Sequence, residues 1–297
     1  MGAQNMPAAE VDISGDLVRI LLRAQHPDLA ELDLRLVTKG WDNALYRLGD
    51  ELTVRLPRRQ MAADLVLREA TWLPQLAPHL PLPVPAPVRV GRPTAEFPWS
   101  WTIVPWFEGE PVGASTFVDP ARAATRLGEF LAALHRPAPE DAPLNPFRGG
   151  PLADRARHTI PRIEALAADI DVEVVTSGWR NTASVTPWEG PPMWIHGDLH
   201  PLNMVERDGE LTAIIDFGDI TAGDPATDLL VAWYLFDEPH RAILRAAAES
   251  AVRPIDDDMW ERGRGWAISH SLAVLANGAD HPTLSALGRR ALLAATT

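Results

Sequence analysis

Cysteine is missing from this sequence of 297 residues, so disulfide bonds, thiolate metal sites and cysteine nucleophiles are excluded. Lysine is almost missing, since Lys39 is the only lysine among 27 lysine and arginine residues. No apolar run approaches the ~18 residues that a membrane-spanning helix needs. The N-terminal sequence lacks the basic and apolar regions of a signal peptide. Together these absences predict a cytoplasmic protein without a membrane partner.

The charged residues are unbalanced, and the net charge is −13. Nucleic acid is a polyanion and the sequence has no basic tract to bind it, so no nucleic-acid partner is expected. An anionic surface attracts cationic small molecules at long range, although the same charge also serves solubility alone. The hydrophobic content of 46% is enough to fill a core, and the length allows one large domain or two lobes.

Apolar periodicity divides the chain into a sheet-rich first part and a mainly helical second part. In the first part we predict helices at 15–25 and 60–76, an extended segment at 81–93, and strands at 32–37, 43–48, 51–57 and from 97 onward. In the second part we predict helices at 120–135, 152–170, 226–236, 239–251, 256–276 and 282–295. The expected fold class is therefore α+β. It comprises an antiparallel-sheet lobe with one main helix (1–105), a hinge (106–112) and a helical lobe (113–297).

The stretch HGDLHPLN, residues 196–203, contains two histidines, an aspartate and an asparagine. A predicted strand–turn–strand follows it and ends in IIDFGD, residues 214–219. Phosphoryl transfer needs a carboxylate that accepts or orients the proton of the acceptor hydroxyl, and oxygen ligands for Mg²⁺. We predict Asp198 as the catalytic carboxylate. Asn203 and Asp216 are predicted metal ligands, because the hairpin between them lets both reach one ion.

Two other interpretations of HGDLHPLN are possible. His196, Asp198 and His200 alternate along the chain, as zinc ligands on one face of a strand do. Pro201 interrupts such a strand, however, and zinc binding leaves Asn203 and the DFGD sequence unexplained. The other interpretation is a polar loop cluster with no catalytic role.

HGDLHPLN followed by IIDFGD resembles the aminoglycoside phosphotransferase family of the protein-kinase-like superfamily. The resemblance implies a two-lobed kinase-like fold, a nucleoside triphosphate donor (ATP or GTP) and Mg²⁺. It also implies a phosphate-covering turn at TKGWDN (38–43), which contains Lys39 and Gly40. The remaining nucleotide contacts that it implies are the hinge residues Pro105, Trp106 and Phe107. The apolar residues Val37, Val54 and Ile215 are expected either to surround the purine base or to be ordinary core residues.

The resemblance further implies a helix glutamate paired with a cation on a strand. Glu69 fits the glutamate, but Arg55 stands where the family usually has lysine. Arg55 is the favoured phosphate ligand, since a guanidinium binds phosphate well and Val54-Arg55-Leu56 alternates as a strand should. The alternative is that Lys39 reaches the phosphates from the turn.

Supporting roles are expected for five other residues of the two motifs and the segment after them. Asp224 is predicted to cap a helix that begins with Pro225. His196 is expected to pack near the IIDFGD segment (the metal loop), and His200 to line the acceptor site. Asp228 is expected to stabilise the HGDLHPLN segment (the catalytic loop). Asp219, the last aspartate of DFGD, is expected to have a supporting role. Trp179 and Trp188, in the polar segment 176–192, are expected either to stack on a substrate or to pack at the surface.

The acceptors that the resemblance implies include aminoglycosides, macrolides, choline, homoserine and other small alcohols. Carboxylates at 154–173 and 237–261 would attract a polycationic antibiotic. The pattern GWDN followed by VRLPRR is similar to the macrolide-kinase side of the family. We therefore expect an antibiotic acceptor, with a small-metabolite kinase as the alternative. The alternative outside the enzymes is a pseudokinase, which binds a nucleotide without catalysing phosphoryl transfer.

Overall fold

The computed structural model of the protein describes residues 8–113, 117–249, 254–278 and 282–297, which form a sheet-rich lobe and a helical lobe. The elements of the sheet-rich lobe are Gly15–Gln25 (α1), Leu34–Lys39 (β1), Asn43–Leu48 (β2), Leu52–Pro57 (β3), Gln60–Leu76 (α2), Arg89–Gly91 (β4) and Trp101–Pro105 (β5). The strands form one antiparallel sheet in the order β1-β2-β3-β5-β4. The predicted antiparallel sheet of the first lobe is thus present.

Alternation of side chains along the strands builds the core of this lobe. On β2, Ala44, Tyr46 and Leu48 are buried while their neighbours are only half-buried. They pack with Val54 of β3 and with the apolar face of α1. Helix α1 begins at Ser14, whose hydroxyl accepts a hydrogen bond from the main-chain N–H of Leu17.

The helical lobe follows a short link. Its elements are Glu110–Pro111 (β6), Pro120–Leu134 (α3), Ala156–Ala165 (α4), Val172–Ala183 (α5), Met193–Ile195 (β7), Met204–Arg207 (β8), Glu210–Ile214 (β9), Thr221–Gly223 (β10), Val231–Leu235 (α6), Glu238–Ala248 (α7), Asp257–Ala276 (α8) and Pro282–Thr296 (α9). Strand β8 pairs with both β6 and β9, and β7 pairs with β10. These two small sheets hold the ends of the HGDLHPLN loop.

Helix α8 packs against α4, α5 and α9. Gly265 permits the close approach, because a Cβ at this position would lie 2.3 Å from Leu152 Cδ2 and 2.8 Å from Thr182 Oγ1. A buried hydrogen bond of 2.8 Å between the hydroxyl groups of Thr159 and Ser269 also ties α4 to α8. The close packing at Gly265 and the hydrogen bond between Thr159 and Ser269 together fix the position of α8 in the helical lobe.

The α+β fold class is confirmed, but some predicted helices have different bounds. The predicted helix 152–170 is a 3₁₀ turn at Leu152–Arg155 followed by α4, which ends at Ala165. The predicted helix 226–236 is a 3₁₀ segment followed by the short α6. The last residues of the predicted helix 239–251 lie outside the described residues. None of the helices that the structure describes is long and apolar enough to cross a membrane.

Helix α5 was not predicted, because its first turn is rich in β-branched valines that have low helix propensity. It begins at Asp171, whose carboxylate accepts a hydrogen bond from the main-chain N–H of Val174. Trp179 lies on its inner face and is buried in the core. The expectation that Trp179 stacks on a substrate or packs at the surface is therefore wrong. Trp188 is partly exposed, and its indole N–H donates to the carbonyl of Pro191 in a local turn.

Candidate active site

The hairpin of β8 and β9 brings the two predicted motifs together. HGDLHPLN connects β7 to β8, and the chain leaves β9 directly into IIDFGD. The two loops are joined by a hydrogen bond of 2.9 Å from the main-chain N–H of Ile215 to the carbonyl of Asn203. A second bond, of 3.0 Å, links the His196 ring to the Ile215 carbonyl. The residues that the sequence assigns to catalysis and metal binding thus belong to one cluster.

Asp198 is surrounded by three cationic or potentially cationic side chains. Arg148 Nη2 lies 2.6 Å from its Oδ1, and His270 Nε2 lies 3.4 Å from the same oxygen. His200 Nε2 lies 3.6 Å from Oδ2. Burial by itself would raise the pKa of Asp198, but the Arg148 guanidinium and the His270 hydrogen bond hold it well below its ordinary value. The carboxylate is therefore ionised at neutral pH and able to accept a proton.

Arg148 and His270 were not found from the sequence. Arg148 lies 50 residues before Asp198, in the loop between α3 and α4, and no motif marks it. Its Nε also contacts Asp219 Oδ2 at 3.1 Å, and Asn145 donates to the other oxygen of Asp219 at 2.9 Å. Asp219 thus holds Arg148 beside the catalytic loop. This contact is the structural basis of the supporting role expected for Asp219.

His270 is oriented by a short polar chain inside the helical lobe. The Ser271 hydroxyl donates to Tyr234 Oη at 3.2 Å, and Tyr234 Oη lies 2.7 Å from His270 Nδ1. When Tyr234 donates to Nδ1, the proton of the imidazole is on Nε2, which faces Asp198. Burial raises the pKa of the Tyr234 hydroxyl, which keeps this donor protonated.

Asp228 stabilises the backbone of the HGDLHPLN loop. Its carboxylate accepts the main-chain N–H of His196 at 2.8 Å and that of Gly197 at 2.9 Å, and it contacts His135 Nε2 at 3.0 Å. Burial would raise the pKa of Asp228, but the His135 hydrogen bond and the other donors lower it below its ordinary value. Asp228 is fully buried, so it does not contact a substrate. Its role is to fix the loop backbone.

Asp228→Ala is expected to destabilise the fold by about 3 kcal/mol, because a buried carboxylate with three partners is removed and those partners lose their acceptor. Chemical denaturation of the wild type and the variant measures this free energy. Asp64→Ala is the control, since Asp64 is an exposed acidic residue on α2. Equal loss of stability in the two variants would contradict the bracing role.

Gly197 has a backbone conformation that other residues rarely adopt, with φ 86°. A Cβ at this position would also lie 2.6 Å from the carbonyl oxygen of Asp219. Gly197→Ala is therefore expected to displace the catalytic loop and reduce kcat roughly 10- to 100-fold. Gly150→Ala is the matched control, because a Cβ there meets no atom within 4 Å. Steady-state kinetics measures both, and similar kcat values would rule out the loop displacement.

The histidines of HGDLHPLN are engaged by the protein itself. His196 Nδ1 accepts the main-chain N–H of Asp198 at 3.2 Å, and its Nε2 contacts the Ile215 carbonyl. His200 Nδ1 accepts the main-chain N–H of Leu202 at 3.2 Å. Because both ring nitrogens of His196 are used, it is not available to a metal, and the zinc interpretation fails. Within the described ranges, no group of three or more histidine, aspartate or glutamate side chains is arranged as a metal site.

Asn203 and Asp216 offer the oxygen ligands that Mg²⁺ prefers. Asn203 Nδ2 donates to the main-chain carbonyl of Asp198 at 2.9 Å, so its Oδ1 is the atom left to face a cation. Asp216 has φ 63°, an uncommon backbone conformation for a non-glycine residue, and its side chain is 59% exposed. The donor set of one amide oxygen and one free carboxylate fits a hard cation.

Arg55 and Glu69 form a buried ion pair between β3 and α2. Arg55 Nη2 lies 3.1 Å from Glu69 Oε1, and Nη1 contacts the other carboxylate oxygen. Arg55 Nη2 also lies 3.8 Å from Asp216 Oδ1. Burial would lower the pKa of Arg55, but the carboxylates of Glu69 and Asp216 raise it. Arg55 therefore places a permanent positive charge next to a predicted metal ligand.

Lys39 lies at the end of the edge strand β1 and does not approach this cluster. Its Nζ is 3.7 Å from Asp12, and its side chain is 39% exposed. The turn that contains Gly40 is held by arginines after β3: Arg58 donates to the Gly40 carbonyl and Arg59 to Asp42. Of the two candidate phosphate ligands, only Arg55 is directed towards the metal loop.

The predicted apolar residues around the base lie in different environments. Val54 is fully buried in the core beneath α1, because side chains alternate along β3 and Arg55 occupies the opposite face. Of the two interpretations of Val54, the structure therefore agrees with the ordinary core residue and not with a residue that surrounds the purine base. Val37 is exposed on β1, beside an irregularity in its pairing with β2, and Ile215 is half-buried next to Asp216.

The link between the lobes begins where β5 ends. The main-chain N–H of Trp106 donates to the Glu51 carbonyl at 2.7 Å, and the Arg47 guanidinium lies over the Trp106 ring at 4.6 Å. Pro105 and Phe107 are half-buried on either side of Trp106. These contacts position the backbone of the link beside the sheet.

Asp224 caps the 3₁₀ segment at Pro225–Leu230. Its carboxylate accepts the main-chain N–H of Ala226 at 3.0 Å, as expected for a cap. The structure adds a buried ion pair with Arg262 of α8, at 2.8 Å. Arg262 was not identified from the sequence, since α8 carries no motif. Asp224 thus joins the segment after the metal loop to the helical core.

The sheet-rich lobe, the helical lobe and the hairpin that joins HGDLHPLN to IIDFGD define a two-lobed fold of the protein-kinase-like type. The sequence profile of the phosphotransferase enzyme family matches residues 33–266, and the chain belongs to this family. The resemblance inferred from HGDLHPLN and IIDFGD is thereby confirmed. No protein of curated function matches the chain.

Solved structures share the fold over nearly the whole chain. The GDP and kanamycin complex of APH(2")-IIIa has a TM-score of 0.68 at 19% identity, with 92% of this chain and 97% of that chain covered. Macrolide 2'-phosphotransferase MphH from Brachybacterium faecium has a TM-score of 0.63 at 24% identity, with 93% and 97% covered. Macrolide 2'-phosphotransferase type I has a TM-score of 0.60 at 19% identity, with 94% and 98% covered.

Proposed function

We propose that the protein is a magnesium-dependent O-phosphotransferase that moves the γ-phosphate of ATP or GTP to a hydroxyl group of a small molecule. The observation that carries the proposal is the joining of the two loops, which groups Asp198, Asn203 and Asp216. The Arg55–Glu69 ion pair reaches the same cluster. A protein that only bound nucleotides would have no chemical need for an ionised carboxylate next to two potential metal ligands.

In the proposed reaction the acceptor hydroxyl lies next to Asp198. Its oxygen forms a bond to the γ-phosphorus while the bond from that phosphorus to the β–γ bridging oxygen breaks. Asp198 takes the hydroxyl proton, and the nucleoside diphosphate leaves. Arg55 holds the donor phosphates by charge-assisted hydrogen bonds. Positioning and electrostatic stabilisation supply most of the rate enhancement.

Asn203 Oδ1 and the Asp216 carboxylate are the proposed ligands of Mg²⁺. When bound, the cation would neutralise charge on the donor phosphates. We also propose that residues 106–112 act as the hinge between a lobe at 1–105 and a lobe at 113–297. In this arrangement Pro105, Trp106 and Phe107 contact the purine, with Val37 and Ile215 close to it. The cytoplasm is the proposed location, because the nucleotide donor is available there.

The finer form of the proposal is an antibiotic acceptor. Its support is the likeness to structures named for a kanamycin complex and for macrolide 2'-phosphotransferase. A second candidate is a kinase of a small metabolite. The unpaired arginines Arg155 and Arg162, whose charges act on Arg148, favour this candidate, because they would repel the amines of a polycationic aminoglycoside.

The proposed function is tested by product formation with ATP or GTP, with and without Mg²⁺. The acceptor panel contains kanamycin, erythromycin, choline, neutral polyols, hydroxy acids and phosphorylated alcohols. Mass spectrometry detects the phosphorylated product, and the released nucleoside diphosphate is measured in parallel. We expect transfer that depends on Mg²⁺ and on at least one acceptor. Nucleotide binding without any acceptor-dependent turnover would instead identify a pseudokinase.

A further inference from the structure

Three arginines of the helical lobe, Arg148, Arg155 and Arg162, lie close enough for their charges to influence one another. Arg148 contacts Asp198 directly, while Arg155 precedes α4 and Arg162 lies two helical turns later on the same face. Their mutual influence is visible in the pKa of Arg155, which burial and then the charges of Arg148, Arg162 and Arg157 lower to about 10. Burial and Arg148 also lower the pKa of Arg162. All three guanidinium groups remain charged at neutral pH.

Unlike Arg148, the other two arginines have no anionic partner. Arg155 Nε, Arg155 Nη1 and Arg162 Nη1 are buried and have no hydrogen-bond acceptor among the described residues. Neither residue forms an ion pair within the same part of the chain. The acidic residues nearest to them in sequence, Asp154 and Glu164, are exposed and do not contact them.

Helix α8 sets the position of Arg155 relative to Asp198. The Arg155 guanidinium lies over the ring of Trp266, 5.6 Å from its centre. His270 is one helical turn after Trp266 on the same face, and its Nε2 is 3.4 Å from Asp198. The indole N–H of Trp266 is a further buried donor without an acceptor. The unpaired donors of Arg155 and Trp266 thus lie about one helical turn from His270, which contacts Asp198.

Such an arrangement is costly in the free protein. Buried charged N–H groups without acceptors lose hydration, and like charges repel each other. Strain of this kind is retained where a ligand relieves it, and a guanidinium binds a planar or tetrahedral oxyanion with paired hydrogen bonds. An oxyanion can accept hydrogen bonds from such donors, whereas an ammonium group would find no acceptor among them.

We propose that Arg155 and Arg162, next to Arg148, form a subsite for an anionic group of the acceptor, a carboxylate or a phosphate, that lies near the hydroxyl to be phosphorylated. The inference rests on the proposed phosphotransferase function and specifies its acceptor class. The anionic group binds the two arginines through their unpaired donors. Beside this subsite, Arg148 contacts both Asp198 and Asp219. Acceptors that carry only positive charges, such as kanamycin, are expected to be poor substrates.

The subsite is tested by isothermal titration of the protein saturated with MgADP, so that the nucleotide site cannot take the added anion. Inorganic phosphate and acetate are the two probes, and they distinguish a phosphate subsite from a carboxylate subsite. We expect at least one of them to bind the wild type, and the Arg155→Gln/Arg162→Gln variant to bind it about tenfold more weakly or not at all. Arg180→Gln is the charge-matched control on α5, exposed and without an ion pair in the described residues; its affinity should equal that of the wild type.

Thermal unfolding provides the control for folding. Removal of two unpaired buried charges should leave Tm unchanged or raise it, and the stabilising anion should raise the Tm of the wild type but not of the double variant. Equal anion affinity in the wild type and the double variant would overturn the subsite, and so would the absence of binding of both probes. Failure of the proposed function is a separate result, namely no transfer to any acceptor in the turnover assay.

Discussion

Asp198→Ala is expected to reduce kcat by roughly 10³-fold while the affinity for MgATP or MgGTP stays close to that of the wild type. Within the described part of the chain, Asp198 is the acidic side chain that Arg148, His200 and His270 contact together, and it is therefore the proposed acceptor of the hydroxyl proton. Asn203 keeps its contact to the Asp198 main chain, which the substitution does not remove. The nucleotide side of the site therefore remains intact.

Single-turnover measurements and nucleotide titrations separate the two effects. Asp198→Asn is the second variant, because it retains the shape of the side chain and removes the charge. Both variants should lose transfer to a similar extent, since the charge is what accepts the proton. Full activity in either variant would show that Asp198 is not the base. A large loss of nucleotide affinity would instead place Asp198 among the donor-binding residues.

Arg55→Ala is expected to have the second large effect. The substitution leaves Glu69 buried without its partner, at a cost of about 3 to 5 kcal/mol in the free energy of unfolding. It also removes the positive charge that faces Asp216, so the nucleotide KM should rise or kcat should fall by about tenfold or more. Lys39→Ala should change either parameter by no more than about twofold, because Lys39 forms only an exposed ion pair with Asp12.

The controls separate folding from nucleotide binding. Arg55→Lys retains a cation but loses the paired hydrogen bonds to Glu69, so it should recover part of the activity. The double variant Arg55→Ala/Glu69→Ala removes both buried charges and should regain stability without regaining nucleotide affinity. Denaturation curves and initial rates at varied nucleotide concentration measure these outcomes. A larger kinetic effect of Lys39→Ala than of Arg55→Ala would reverse the assignment.

Much of the candidate site is encoded in continuous segments. HGDLHPLN, the hairpin and IIDFGD follow each other along the chain, and the hairpin geometry requires their two ends to meet. For this reason order and spacing were enough to propose that Asp198, Asn203 and Asp216 lie in one site, and their roles stay predictions. The alternation of β3 likewise places Arg55 on one face and Val54 on the other, in the core, so the strand pattern could have decided between the two interpretations of Val54.

Other residues of the site come from distant segments and leave no pattern in the sequence. Arg148 and His270 reach Asp198 from the loop before α4 and from α8, and His135 reaches Asp228 from the end of α3. Their positions depend on how the helices of the second lobe pack. Helix α5, which helps to build that packing, was itself obscured by the poor helix propensity of its valines.

The sequence by itself determined the α+β fold class, the family and the order of the residues proposed for catalysis and metal binding, because these depend on local periodicity and on contiguous motifs. It also gave the net charge of −13, which suggested a cationic acceptor. Only the tertiary structure decided which charges lie next to Asp198. There Arg148 contacts the carboxylate, and its charge acts on Arg155. The physical reason is distance. The electrostatic energy of a group depends mainly on the charges close to it, and the net charge of the whole chain carries no information about the charges around Asp198.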